Sequence, residues 1–150
     1  MAPVETTRTM KNVAPRPPPV DYFVRRMDQL YYNRYAMPVF LNIYNVTPAN
    51  SFLECLGFGL YHTSVGVFDS EISYGGHNKP LSGIVVMQQG FTQLPLKESI
   101  PVGTTYYSDD EIDSIVEYFG DFWHGQDYDP FAKNCNDFTH IMIQFLCNKE

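Results

Sequence analysis

In this chain of 150 residues, the means for nucleophilic chemistry gather in Asp127-Tyr-Asp-Pro-Phe-Ala-Lys-Asn-Cys-Asn-Asp-Phe-Thr139. Cys135 stands between Asn134 and Asn136, where a loop gives way to an apolar-periodic segment. Phe138, Ile141, Met142 and Phe145 follow at helical spacing, which predicts a helix with one buried face. A thiol in the first turn of such a helix meets unpaired backbone N–H groups and the positive end of the macrodipole. Both favour thiolate, the nucleophilic form. The same segment reads equally well as a small buried helical cysteine. A base decides between the two readings.

Four histidines are available. His140 lies five residues beyond Cys135 on the same predicted helix, about 140° around it, and faces away. His124 follows a helix end and reads as a partner for the negative end of the dipole. His77 sits in Gly75-Gly-His-Asn-Lys-Pro80, a loop dense in turn residues, where it could border a substrate groove. His62 lies on a strand after Gly57-Phe-Gly59, on a face otherwise carrying small residues that leave room for another side chain. His62 is therefore the preferred base and His77 the second. Asn134 and Asn136 are the nearest amides that could help stabilise an oxyanion, with helix capping as their alternative role.

The elements that position these residues read as follows. Val39–Asn45 is rich in β-branched and aromatic residues and is the first predicted strand, with Pro38 closing the segment before it. Thr47 or Asn50 could cap a short apolar run, Phe52–Leu56. Residues 60–68 alternate and form a strand that turns at Asp69-Ser70 into Glu71–Tyr74, a hairpin. Ile84–Met87 is a strong strand. Thr92–Ser99 and Thr104–Tyr107 read as two further short strands, with Pro95 and Pro101 at edges or turns. Ser108-Asp-Asp-Glu111 is a capping box that opens a helix. Ile112, Ile115, Val116, Phe119 and either Phe122 or Trp123 form its buried face, and Gly125 is expected to end it. Antiparallel strands followed by two helices make an α+β fold.

Composition narrows the rest. Residues 1–38 hold six Lys/Arg against three Asp/Glu, a balance of +3, and the remainder carries −10. An acidic domain lacks the cations that phosphate contacts require, which argues against nucleic acid. It suits solubility or a basic partner. Three cysteines in no paired spacing argue against a disulfide framework and fit a reducing compartment, cytoplasmic or nuclear. No metal-ligand spacing and no cofactor motif is present. No apolar run reaches the roughly 18 residues of a membrane span, and no secretory signal is visible. Residues 1–38 form a proline-containing basic extension, largely disordered. Val24, Met27, Leu30, Tyr31 and Arg34 could make a short helix over 21–35 that docks on its own domain or on a partner. Residues 39–150 are the folded domain.

Three motifs together carry a resemblance: Gly57-Phe-Gly-Leu-Tyr-His62-Thr-Ser-Val, Tyr74-Gly-Gly-His77 and Asn134-Cys-Asn-Asp-Phe-Thr139. In that order and spacing, from about Val39 to the C-terminus, the chain resembles the PPPDE family of papain-like cysteine isopeptidases, the desumoylating isopeptidases. Gly75–Ile84 is similar to the subgroup typified by the second of these. The resemblance implies a permuted papain-like fold, with an antiparallel sheet or partial barrel packed against helices and the nucleophile at a helix N-terminus. It further implies a His–Cys dyad that cuts after the C-terminal glycines of ubiquitin or SUMO-type modifiers. His62 matches the family base and Cys135 the nucleophile. Gly57, Gly59, Tyr61, Gly75, Gly76 and His77 would line a narrow groove for a Gly-Gly tail. Only fifteen residues follow Cys135, shorter than the family pattern, so the terminal helix is expected to close the domain. Two other readings remain. One is a depalmitoylating thioesterase or a lipid acyltransferase of the related lecithin–retinol acyltransferase-like type, although Asn134-Cys-Asn-Asp-Phe138 lacks that motif's Glu and His. The other is a non-catalytic adaptor.

Overall fold

The computed structural model describes residues 36–53 and 59–147. The N-terminal segment with the helix expected over 21–35, the far end of the run expected over 52–56, and Gly57 lie outside them. Five strands form one antiparallel sheet: β1 (Met37–Asn45), β2 (Tyr61–Val67), β3 (Ser70–Tyr74), β4 (Ile84–Gln88) and β5 (Leu96–Thr105), in the order β4-β3-β2-β1-β5. A short helix α1 (Asn50–Leu53) follows β1, while α2 (Asp109–Gly120) and α3 (Cys135–Cys147) follow the sheet. The α+β layout is thus the one expected.

Alternation along the strands sends Val39, Val65, Val67, Ile72, Tyr74 and Ile84 into one core with the helices. α2 opens with the capping box: Ser108 Oγ accepts from the Glu111 N–H, and Glu111 Oε2 accepts from the Ser108 N–H. It buries Ile112, Ile115, Val116 and Phe119. α3 buries Phe138, Met142 and Leu146 against the sheet, and Phe119 meets Phe138 and Phe145 edge-on. Ile141, expected on the buried face, is 41% exposed. The stripe runs through Leu146 instead, four residues after Met142.

Three further sequence expectations are corrected. The two short strands expected over 92–99 and 104–107 are a single strand, β5, with Pro101 inside it. β5 is an edge strand, and the register against β1 slips between Val39 and Phe40, so the proline sits beside a bulge where no ladder donor is required. β1 begins at Met37 and includes Pro38. Its pairing with β2 starts only at Val39, so Pro38 has a neighbour on the β5 side alone. α2 stops at Gly120, before Gly125, and of the two aromatics that follow Trp123 is buried while Phe122 is exposed. On the face of β2 that carries His62, Ser64 and Gly66 are buried and His62 is partly buried. Glu71 lies beneath the β4–β5 connection there, accepting from Asn42 Nδ2 at 2.8 Å, Thr92 Oγ1 at 2.6 Å and the Tyr44 hydroxyl.

β3 pairs with β2 only through Val65–Val67 and then continues along β4. The first four residues of β2 therefore have no strand neighbour on that side. The start of α3 comes against this open edge.

Candidate active site

Cys135 is the first residue of α3, and its position is fixed by the residues around it. Asn134 is the N-cap: its Oδ1 accepts from the N–H groups of Asn136 at 2.8 Å and Asp137 at 3.2 Å. Asp137 Oδ2 accepts in return from the Asn134 N–H at 3.0 Å, closing a reciprocal cap of the Asx type. The loop ahead of it is held equally firmly. Asp129 and Lys133 exchange two backbone hydrogen bonds, Asp129 Oδ1 accepts from the Phe131 and Ala132 N–H groups, and Lys133 Nζ donates to Phe122 O at 2.8 Å. Phe131, at the tip of this turn, is 96% exposed.

Around the sulfur, β2 contributes two groups. The His62 side chain hydrogen-bonds the thiol, and the Thr63 backbone N–H points to it from the uncovered edge of the strand. Tyr128 adds a third, its hydroxyl 3.9 Å from Sγ. Asn136 Oδ1 also lies 3.9 Å from Sγ and accepts from Thr63 Oγ1 at 2.8 Å. Burial pushes the Cys135 thiol up, but the His62 hydrogen bond, the Thr63 N–H, the His62 charge and the Tyr128 hydroxyl together outweigh it. The pKa comes down from the ordinary 9.0 to about 7. A large share of the sulfur is thus thiolate at neutral pH.

The structure brings His62 and Cys135 together and leaves His77 elsewhere. His77 Nδ1 accepts from the Lys79 N–H at 3.2 Å, and Nε2 lies 3.0 Å from Ser82 O, so the ring serves its own loop. That ring also lies on Gly125, where a Cβ would meet it at 2.4 Å. His124 pairs with Asp127 at 3.5 Å, and His140 is exposed on α3. Asn134 is engaged as a cap. Among the groove candidates, Gly59 is covered by the Tyr61 ring, and Tyr61 takes Lys97 Nζ both on its hydroxyl at 3.1 Å and over its face at 4.5 Å. A Cβ at Gly75 would meet nothing, whereas one at Gly76 would lie 3.0 Å from Tyr128 Cβ. Beside the imidazole stands Tyr44, ring centroids 6.3 Å apart. Its phenol is pushed up to about 12 by burial and by Glu71, which keeps it a hydrogen-bond donor. Tyr128 and the Thr63 N–H are the two contributors that residue types and spacing did not single out.

Residues 37–150 match the model of the PPPDE putative peptidase domain. The chain belongs to the PPPDE family. A DeSI-like protein of Arabidopsis thaliana is 36% identical over 116 residues, covering 75% of this chain and 50% of the relative. A protein named desumoylating isopeptidase 1 homolog, from Caenorhabditis elegans, is 31% identical over 130 residues, covering 83% and 39%. Desumoylating isopeptidase 1 of Xenopus laevis is 32% identical over 94 residues, covering 61% and 53%. The chain spans about half, or less, of the length of these relatives. A strand histidine that precedes a helix-start cysteine is consistent with a permuted papain-like arrangement for this PPPDE domain.

Proposed function

We propose that the chain is a cysteine-type isopeptidase that releases SUMO- or ubiquitin-type modifiers from lysine side chains. The observation that carries this reading is the His62–Cys135 hydrogen bond at the first residue of α3, with the thiol brought down to about 7. A thiolate in that place attacks a carbonyl carbon to give a tetrahedral oxyanion beside the helix N-terminus. His62, carrying the proton, delivers it to the departing lysine amine, leaving a thioester. Water activated by His62 then hydrolyses the thioester and restores the thiolate. The names of the curated relatives support SUMO-type conjugates as the substrate class. Incubating the protein with isopeptide-linked SUMO and ubiquitin conjugates and resolving the products by electrophoresis tests the reading. Release of free modifier that stops in Cys135→Ala supports it, and no release from either conjugate refutes it.

A second reading rests on one feature. A groove of about 460 Å³ begins at Thr63 and Asn136, beside the nucleophile, and its walls include Leu41, Val102 and Ile143. An apolar groove favours an acyl chain, and thioesters yield to a thiolate more readily than amides. Turnover of a palmitoyl thioester with both protein conjugates left intact would select a depalmitoylating thioesterase instead. The depressed thiol speaks against a purely adaptor role, which has no need of it.

A further inference from the structure

Tyr128 stands seven residues before the nucleophile, just after the 3-10 turn Gly125–Asp127. Its hydroxyl donates to Cys135 Sγ across 3.9 Å, and the Cys135 backbone N–H faces the same hydroxyl. The ring has little freedom. Tyr74 packs on it with centroids 5.2 Å apart, and Gly76 closes in so tightly that no larger residue fits without displacing it. Tyr74 is itself buried and donates to His124 O at 2.7 Å. Burial, and then the neighbouring Cys135 charge, pushes the Tyr128 phenol up, so it stays a neutral donor while the thiol ionises.

An acyl group joined to Sγ brings its carbonyl oxygen to the N–H of the nucleophile's own residue. That N–H faces the Tyr128 hydroxyl. We propose that Tyr128 is a catalytic residue and supplies the second donor of the oxyanion site, turning its O–H from the sulfur to the developing oxyanion. The inference rests on the acyl-transfer chemistry proposed above for Cys135. As the S–C bond forms, the carbonyl π pair moves onto oxygen. That oxygen accepts from the Cys135 N–H in place of the phenol oxygen and also accepts the Tyr128 O–H, which the sulfur releases as it loses its charge. Collapse re-forms the carbonyl and breaks the C–N bond, and the amine nitrogen takes its proton from His62. Hydrolysis of the thioester then returns the thiolate and with it the Tyr128 hydrogen bond. Tyr128 keeps its proton throughout.

Two reactions of the same thiol test this in the full chain, wild type against Tyr128→Phe. Iodoacetamide alkylates Sγ by displacement, without an oxyanion, and p-nitrophenyl acetate acylates it through one. Tyr128→Phe is expected to slow acylation about 100-fold. Alkylation at about pH 9, where most of the thiol is ionised, should change less than about threefold, and its pH midpoint should rise because a donor to the thiolate is lost. A circular dichroism spectrum and melting temperature like those of the wild type show that the variant is folded, and peptide mapping confines both readings to Cys135, since the chain holds three cysteines. Unchanged acylation, equal falls in both reactions, or faster acylation (a hydroxyl that blocks the site) would each overturn the assignment. A SUMO conjugate is assayed alongside. Acylation that depends on Tyr128 while the wild type leaves the conjugate intact refutes the isopeptidase reading alone. A conjugate cut equally well by Tyr128→Phe removes the oxyanion role alone.

Discussion

The backbone N–H of Thr63 points at the sulfur of Cys135 from an edge of β2 that β3 leaves uncovered. Sheet topology and thiol chemistry meet in this contact. Had β3 paired along the whole of β2, that N–H would belong to a ladder and α3 would have no place to enter. Because the strands part at Val65, the residue after His62 offers its main chain to the thiolate while His62 offers its ring. Thr63 also binds α3 through its side chain, with Oγ1 2.8 Å from Asn136 Oδ1 and 3.2 Å from Thr139 Oγ1. The Cys135 sulfur is thus met by two adjacent residues of a single strand, His62 and Thr63.

Alkylation of Cys135 by iodoacetamide should follow one ionisation with a midpoint near 7. Below it the sulfur is thiol and slow to react; above it, thiolate. His62→Ala removes both a hydrogen bond and a charge that lower the pKa, so the midpoint should move up towards the ordinary 9.0. The thiolate fraction at neutral pH should then fall by about tenfold or more. A pH–rate profile measures this, and a midpoint still near 7 in His62→Ala would assign the depression to other groups.

Asn134 caps α3 with two accepted hydrogen bonds. Asn134→Ala should cost about 1–2 kcal/mol, and Asn134→Asp should recover most of it because a carboxylate oxygen can accept the same bonds. For a domain of this size that corresponds to a melting temperature lower by about 2–8 °C, read by calorimetry. Equal melting temperatures for Asn134→Ala and wild type would mean that the cap contributes nothing.

Gly83 and Gly75 differ sharply in the room around them. A Cβ at Gly83 would lie 2.4 Å from Gly75 O and 2.8 Å from Gly125 Cα, both backbone atoms, while one at Gly75 meets nothing. Gly83→Ala should therefore destabilise by about 2 kcal/mol or more by forcing two chain segments apart, and Gly75→Ala by less than about 0.5 kcal/mol. Urea unfolding of the pair decides it. Gly76→Ala should leave stability closer to that of Gly75→Ala while moving the Tyr128 ring, and so lower turnover more than it lowers the melting temperature.

Glu71 is buried and accepts hydrogen bonds from Asn42, Tyr44 and Thr92. Glu71→Ala strands three donors and should cost about 3 kcal/mol or more, whereas Glu71→Gln keeps an acceptor for Asn42 and Tyr44 and should cost less. Because the Tyr44 ring stands beside His62, Glu71→Ala should also lower turnover in the fraction that remains folded. Denaturant unfolding and initial rates on the same samples measure the two effects. Equal stability of the Ala and Gln variants would show that the network is not held through the carboxyl oxygens.

How much of this the sequence disclosed depended on the range of each interaction. The caps at Ser108 and Asn134 act within four residues; the first could be read directly, and for Asn134 capping was the alternative to an oxyanion role. The α+β order and the helix opening at Cys135 rest on periodicity and were equally plain. His62 could be ranked above His77 because its strand face carries small residues that leave room for another side chain. The Thr63 N–H is a backbone group whose direction depends on where β3 ends, and no residue type encodes that. Tyr128 is one of eleven tyrosines, and only the loop 75–83, tied to residues 123–125, gives it a fixed place. Pro101 pointed to a break between strands, although an edge position and a bulge let the strand continue through it.

If Cys135 is the nucleophile that receives a modifier's C-terminal carbonyl, a modifier with an electrophile in that place is trapped on its sulfur. The chain is incubated with SUMO carrying a C-terminal vinyl sulfone, and the product is read by intact mass followed by peptide mapping. One covalent adduct is expected, located on Cys135, absent in Cys135→Ala and slowed in His62→Ala at neutral pH. No adduct on the wild type, or an adduct that persists in Cys135→Ala, would contradict it.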